Sequence, residues 1–531
     1  MSKRLIVLAT SALLIGGLFV GAPVRVRAVT DTVYVADVAS AGAGGSCSAP
    51  DYATGVVDDD EAIQDAIDAV DASPSLTTVF LCAGTYNITT TLLPTDDIIL
   101  EGADATTTIL SGGATWADGA WVSGGIRILT SGDDVTLHNL TFTRGTAPSV
   151  GSNGGGAIAV DGTVTVTSSI FTQNEGDYMG GAIYSYYNPL IVTDSIFTDN
   201  IAEYGGAINT WVTATVTAST FMENKAGGGG AVRGDTVVIS SSSFVGNEAS
   251  SIGGASNGGA IRAVASATVS NSTFTSNASH RGGAIFSTGE VAITASTFTG
   301  NTATDNGGAI EAAAVTATNS TFTNNDATDN GGAIEADTTT ATNSTFTNNY
   351  ADDEGGAIYS DITATATNST FTNNAASLGG AILAYTTATA TNSTFTNNEA
   401  GIGGGAIATQ GDVNVTNSTF TNNDAALYGG AIYTGTGTIA RSRFTRNTAG
   451  EKGGAVVLAF PDIVALQQLR GNTFSRNTAA AGGAITLGPC IVPTRSQAAR
   501  VERANRFRGN RATEQRRTSN VERWEADLCG D

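Results

Sequence analysis

A right-handed, single-stranded parallel β-helix is the fold class that this 531-residue sequence predicts, and three observations predict it. First, Gly-Gly-Ala-(Ile or Val) occurs fourteen times, its fourth residue at Ile158, Ile183, Ile208, Val232, Ile261, Ile285, Ile310, Ile334, Ile358, Ile382, Ile407, Ile432, Val456 and Ile485. Eleven of the thirteen intervals are 24 or 25 residues and the other two are 29, and a fixed period of this length marks a solenoid. Second, Phe-x-x-Asn also occurs fourteen times, out of phase with the first motif, as at Phe171 with Asn174, Phe322 with Asn325 and Phe420 with Asn423. Third, within a unit such as residues 307–330, small or apolar residues alternate with Thr in short runs broken by Asn, Asp and Gly. Period-2 runs are strands and the breakers are corners, so each unit reads as one coil of three strands of four or five residues. No unit has helical spacing, and the Leu ladder of leucine-rich repeats is absent.

Stacking follows from the repeat. Rungs about 4.8 Å apart bring each Ile and each Phe above its equivalent, giving continuous inward columns and a shaft of roughly 70 Å. A single rung buries too little to offset the ordering of 24 backbone residues, at roughly 1 to 2 kcal/mol each, so stability comes from neighbours. The paired Gly supplies a tight corner of positive φ. The Asn of Phe-x-x-Asn, and Asn271, Asn319, Asn343, Asn368, Asn392 and Asn417 before Ser-Thr-Phe, are expected to form amide ladders at corners. The latter also spell glycosylation sequons, which is the alternative reading of them.

The ends differ from the body. Residues 1–28 read as a secretory signal: Lys3 and Arg4, an apolar run from Leu5 to Val20, then Val26-x-Ala28. Cleavage after Ala28 is expected, with retention as an uncleaved anchor the alternative, and no later stretch is apolar enough to span a membrane. Residues 29–75 read as an N-terminal cap, in which Ile63, Ala66, Ile67 and Val70 share a helical face behind the acids Asp58 to Glu61. Residues 76–152 read as the first rungs, 153–488 as the regular ones and 489–531 as a basic last rung and cap. The four cysteines sit near the ends, Cys47 and Cys82 at one and Cys490 and Cys529 at the other. Export permits disulfides, and a bridge needs Cα atoms within about 7 Å, which leaves the pairings within each end. Free buried thiols are the alternative.

Loss of Lys3, Arg4, Arg25 and Arg27 with the signal lowers the formal charge from −23 to −27, which argues against nucleic acid as a partner. Residues 1–440 carry 10 basic and 40 acidic residues, whereas from Arg441 onward there are 15 basic and 8 acidic. An acidic shaft with a basic end results.

If Ile points inward, so does the residue two later, while those one and three later face outward. The inward set from Ser185 to Thr434 is small and uncharged throughout. The outward set holds Tyr184, Tyr186, Trp211, Phe286, Tyr359, Tyr385 and Tyr433, candidates for contact with a glycan or a protein, unless they are merely tolerated surface residues. It also holds Glu311, Glu335, Asp337 and Asp361. Glu311 over Glu335, and Asp337 over Asp361, are expected to bring carboxylates about 5 Å apart. Such pairs are relieved by raised pKa values or by a hard cation such as Ca²⁺, a solvated acidic face being the alternative. Asp305, Asp329 and Asp353 form a second acidic row. The carboxylates are also candidates for glycosidase acid and base. A lyase needs a basic residue, and on this face only Arg233 and Arg262 qualify, two or more rungs away. His138 and His280 are isolated, and no nucleophile triad or zinc spacing occurs.

Gly-Gly-Ala-Ile alternating with Phe-x-x-Asn over residues 153–510 resembles the repeat of the chlamydial-type polymorphic outer membrane proteins, within the pectin-lyase-like superfamily. Ala83-Gly-Thr-Tyr86 with Glu101-Gly-Ala103 resembles the opening rungs of pectate-lyase-like proteins. The resemblance implies a secreted or surface-displayed, adhesin-like protein of the cell envelope. Autotransporter-type members end in alternating strands with an aromatic terminus, whereas this chain ends Leu528-Cys-Gly-Asp531, so plain secretion is expected as readily as outer-membrane anchoring. The expectation is a non-catalytic rod that needs no cofactor, beyond Ca²⁺ at the acidic patch, and binds an extracellular glycan or surface protein. A polysaccharide lyase or glycoside hydrolase acting on acidic polysaccharide is the alternative.

Overall fold

The computed structural model describes residues 31–37, 45–54, 58–117, 120–123, 125–147, 154–250, 256–459, 468–487, 495–513 and 521–523. The expected signal segment and the expected Cys490–Cys529 pair lie outside the described residues.

The chain is an all-β right-handed parallel solenoid, and its regular rungs repeat one path. In one rung, strand Ile310–Thr318 is followed by a corner at Asn319, strand Thr321–Thr323, a corner at Asn324 and the two-residue strand Asp326–Ala327; Gly331 and Gly332 then lead to the next rung. The preceding rung splits the first stretch into Ile285–Ser287 and Glu290–Thr294. Three strands of four or five residues are therefore replaced by one long or two short strands, then one of three and one of two. The corners cause the difference: Asn319 and Asn324 take left-handed φ values of 52° and 54° only five residues apart, and each ends a strand. Asn tolerates that region because its short polar side chain costs less there than an aliphatic one.

Beside the buried Ile and Val column of the Gly-Gly-Ala-Ile motif, three further columns run along the axis. Fifteen phenylalanines from Phe142 to Phe507 stack with near-parallel rings, at centroid spacings such as 4.8 Å for Phe322–Phe346. Each fully buried ring contributes about 2 to 3 kcal/mol of burial. Beside them the Asn of Phe-x-x-Asn forms a buried amide ladder, as expected. Asn325 Nδ2 donates to Asn349 Oδ1 at 2.9 Å and to the Phe298 carbonyl at 3.1 Å, and its backbone N–H donates to the same Asn349 oxygen. The third column is serine from Ser169 to Ser442, two residues before each Phe from Phe171 to Phe444. Ser320 N–H donates to Ser344 Oγ at 3.2 Å, while Ser320 Oγ–H donates to the Thr318 carbonyl at 2.9 Å. At the basic end Asn472 takes the serine's place and accepts from Ser442 N–H at 2.8 Å. The sequon asparagines form a looser, solvent-facing ladder, such as Asn392 Nδ2 to Asn368 Oδ1 at 3.2 Å.

The Gly-Gly corner admits no side chain. Gly307 sits at φ 64°, and a Cβ on Gly308 would run into the carbonyl oxygen of Gly332 one rung on.

The N-terminal end is covered by helix α1 (Asp59–Asp71), whose Ala62, Ile63, Ala66, Ile67 and Val70 are buried. Its N-cap residue Asp58 makes no side-chain cap; the helix acids instead serve the following chain. Asp59 accepts from Asn87 N–H at 2.5 Å and Asp71 from Thr95 N–H at 2.8 Å. The sheet starts earlier than the sequence implies, because Thr32–Ala36 pairs in parallel with Thr78–Leu81. Cys47 and Cys82 are disulfide-bonded, with Cα atoms 5.6 Å apart. At the other end a second helix, α2 (Arg495–Ala504), precedes the last Phe-x-x-Asn strand, Arg506–Arg508. Among the described residues no helix is long and apolar enough to cross a membrane.

Candidate functional site: an axial groove

The residues just after each Ile face away from the core, as expected, yet most are buried. The Gly-Gly corner explains this. Its positive φ folds the chain back, so that the residue four before each Ile stands beside the outward residues of the neighbouring rungs. Contacts between the two columns show the arrangement: Arg233 over Tyr204, Arg281 on Glu311, Tyr385 on Glu354 and Tyr433 against Tyr428. Together they form a groove along the rod, with the residue after Ile as its floor and the residue four before Ile as its flank.

One stretch of the groove is aromatic and cationic. Tyr184, Tyr186 and Trp211 come together there: Trp211 Nε1–H donates to Tyr184 Oη at 3.1 Å, and the Tyr184 and Tyr186 rings meet edge to face at 5.6 Å. Burial pushes the Tyr184 hydroxyl up to about 12, so it stays protonated and able to donate. The Arg233 guanidinium lies 4.3 Å from the Trp211 ring centroid and 5.2 Å from that of Tyr204. Next to this platform opens a cavity of about 520 Å³, lined by Arg127, Thr130, Asp161, Tyr184, Tyr186 and Tyr187 among others. Trp211 is 43% exposed.

The next stretch is acidic. Glu311 and Glu335 are paired in register on adjacent strands, as the repeat implies. Arg281, from the flank, holds Glu311 through both ends of its fork, with Nε 2.9 Å from Oε2, and reaches Asp305 at 3.7 Å. Burial, reinforced by the charge of Glu335, raises Glu311 to about 8; Glu335 is raised to about 7, mainly by burial, against the pull of Arg281. One guanidinium cannot support two buried carboxylates, so near neutral pH the pair retains a proton, and the two values belong to the pair. Phe286 lies under Arg281, its ring centroid 5.4 Å from the guanidinium carbon.

Asp337 and Asp361 do not repeat this arrangement. The register shifts between Ala336 and Thr338, because the next rung carries one more residue there, so the two are not directly paired and both are exposed. Asp361 instead accepts from Tyr359 Oη at 2.9 Å, and burial together with that carboxylate raises the Tyr359 hydroxyl. Tyr359 packs with Leu383 and Ala408, and Tyr385 lies against this cluster while donating to Glu354 at 3.3 Å. Among the described residues no three His, Cys, Asp or Glu side chains converge as a metal site requires. The cation beside Glu311 and Glu335 is Arg281.

The seven aromatic candidates thus divide into four places: Tyr184, Tyr186 and Trp211 on the platform, Phe286 under Arg281, Tyr359 with Tyr385, and Tyr433 beside Tyr428 at 6.0 Å. Residues the sequence reading passed over include Arg127, Tyr187, Tyr204, Arg281 and Glu354. For Tyr204, Arg281 and Glu354 a signal existed: all stand four before an Ile of the repeat.

The fold is that of a right-handed β-helix protein. Comparison with known families agrees: the right-handed β-helix region matches residues 238–400, the rhamnogalacturonase A/epimerase, pectate lyase-like family matches 51–249, and the Chlamydia polymorphic membrane protein repeat matches 392–410 and 417–435. The pectin-lyase-like character and the chlamydial-type repeat are thereby recovered, the latter over two units. No curated protein sequence matches the chain. Among solved structures, the catalytic domain of a GH87 α-1,3-glucanase in complex with tetrasaccharides is similar at 12% identity, over 73% of this chain and 68% of that one, with a TM-score of 0.38. The Streptococcus pneumoniae surface protein and adhesin PfbA is similar at 13% identity, over 71% and 96%, with a TM-score of 0.31. Likeness at this level assigns no function.

Proposed function

We propose that this chain is an exported rod, secreted or held at the cell surface, that binds a glycan chain along its groove without processing it. The observation that carries the reading is the Tyr184–Tyr186–Trp211 platform beside the 520 Å³ cavity. Aromatic faces stack on the C–H faces of sugar rings, and hydroxyl-rich walls suit their edges. A glycan array probed with the mature chain and its Trp211→Ala variant tests it. Binding that the variant loses supports the reading, and binding to no glycan at all sinks it.

A second reading is favoured by the Glu311–Glu335 pair, which holds one carboxyl protonated and one ionised near neutral pH in the same groove. In a glycoside hydrolase the protonated carboxyl gives its proton to the glycosidic oxygen as the C–O bond breaks. At a spacing of about 5 Å the other carboxylate bonds to the sugar carbon as that C–O bond breaks, and water, giving a proton to the first carboxylate, then hydrolyses the glycosyl ester and restores both groups. Assay of the mature protein on neutral and acidic polysaccharides, with and without Ca²⁺, separates the two readings. Depolymerisation abolished by Glu311→Gln would replace the first reading with the second.

A further inference from the structure

The floor of the aromatic stretch contains two arginines that the protein itself leaves uncompensated. Arg233 and Arg262 are paired in register on adjacent strands. Both guanidinium groups converge on the Tyr204 ring, at 5.2 and 5.8 Å from its centroid. Arg233 is only 8% exposed; its Nη1 reaches Asn209 Oδ1 at a long 3.4 Å, and its Nε–H is buried without any partner. Among the described residues neither arginine forms an ion pair, although the chain has 48 acidic against 25 basic residues. Like charges directly opposed in a sheet are destabilising, and a buried donor without an acceptor adds to that cost. Arg281, from the rung after that of Arg262, shows the contrast: Glu311 and Asp305 answer its charge.

A second orphan lies alongside. Asn257, in the flank of the Arg262 rung and bridged to Gly228 in the flank of the Arg233 rung, is 6% exposed, and its Oδ1 has no donor. The stretch therefore lacks two things at once: an oxyanion for the paired guanidinium groups and a hydroxyl for the amide oxygen. The Arg233 guanidinium carbon lies within 4.3 Å of the Trp211 ring centroid and 5.2 Å of that of Tyr204, contacts that restrain a planar fork suited to receive oxygen atoms.

We propose that Arg233 and Arg262 form an oxyanion site that takes a sulfate ester or carboxylate borne by the glycan in the groove, with Asn257 accepting from a hydroxyl of the same sugar. This deepens the glycan reading above and rests on it. Sulfate and carboxylate share the chemistry that guanidinium forks recognise, namely two or more oxygens sharing negative charge.

Inorganic sulfate is the first probe, because it needs no glycan. Calorimetry and thermal melts of the mature protein in sodium sulfate, against sodium chloride at equal ionic strength, are expected to show saturable binding and a raised Tm. Arg262→Gln, at a half-exposed position, is expected to weaken binding by about tenfold or more. Arg262→Glu supplies the missing anion from within the chain. It is expected to melt higher than wild type and to lose the response to sulfate, which a purely stacking role for these arginines does not produce. A wild type indifferent to sulfate, or an Arg262→Gln variant that responds as wild type does, overturns the site. Sulfated, uronate and neutral oligosaccharides of equal length then identify the source. Preference for one anionic arm supports the proposal and names the group. Equal binding of the neutral arm refutes it while leaving the glycan reading intact, and sulfate binding with no oligosaccharide bound refutes the glycan reading alone.

Discussion

Ile310 and Glu311 are adjacent in sequence and belong to two regions that obey opposite rules. The interior column to which Ile310 belongs is filled by Ile or Val in every repeat, whereas the groove floor of Glu311 runs through Tyr, Asn, Arg, Phe, Glu, Leu and Ala. Inside, each side chain meets its own kind one rung away, so any change creates a mismatch on two sides. In the groove a side chain meets the flank residue folded over it by the Gly-Gly corner, and each rung can choose its own pair. A solenoid thus separates what must be repeated from what is free to specify, at a resolution of one residue.

The largest way to break that comparison is from within. Asn325→Leu would orphan the Phe298 carbonyl and the Asn301 and Asn349 groups that Asn325 now satisfies, at a cost of about 3 kcal/mol or more. A marked loss of Tm in the purified variant checks it. Next comes the pH dependence that the groove imposes. Glu311 and Glu335 have folded-state values near 8 and 7, above the roughly 4.3 of an unfolded Glu, so the folded state binds more protons between these limits. Stability is then greatest below about pH 4.5 as far as these groups are concerned, and falls as pH rises through about 8. Glu311→Gln should flatten melting temperature against pH between 5 and 9, recovering roughly 2 to 4 kcal/mol at the alkaline end; an unaltered slope would show that the pair ionises freely.

Smaller effects sharpen the contrast. Trp211→Ala removes a side chain that is 43% exposed, and is expected to leave Tm within a few degrees while weakening glycan binding by about tenfold, read by calorimetry. Ala295 occupies the corner that Asn319 and its successors fill, at a left-handed φ of 49°. Ala295→Asn should raise stability by about 1 kcal/mol, measured by thermal melting, since Asn is at ease where Ala is strained.

The sequence made the fold legible because a parallel solenoid turns register into arithmetic: equal spacing along the chain becomes vertical alignment in space. Phe322 over Phe346, Asn325 over Asn349 and Glu311 over Glu335 could all be placed by counting. Helix α1 was equally readable from the apolar face of Ile63, Ala66, Ile67 and Val70. The serine column runs from Ser169 to Ser442 but merges in sequence with the Thr alternation around it, because a period-2 pattern does not distinguish a serine turned into a corner from a threonine on a strand. Asp337 over Asp361 failed for a related reason: counting from Ile ignores an extra residue that the strand absorbs as an irregularity. The groove itself could not be counted out. Seeing Arg281 on Glu311 requires the three-dimensional reversal at Gly307 and its equivalents, which brings together residues 30 apart.

The amide ladder has one further consequence. From Asn174 to Asn477 every Nδ2 donates forward, to the Oδ1 of the following rung, and the simultaneous bond to a Phe carbonyl of the preceding turn fixes which end of each amide is which. None runs backward. The buried amides therefore form a rectified chain, each polarising the next in the same sense. This buried column has its amide oxygens toward α1 and its amide nitrogens toward the arginines from Arg441 onward, so its polarity and the distribution of the chain's fixed charges point the same way.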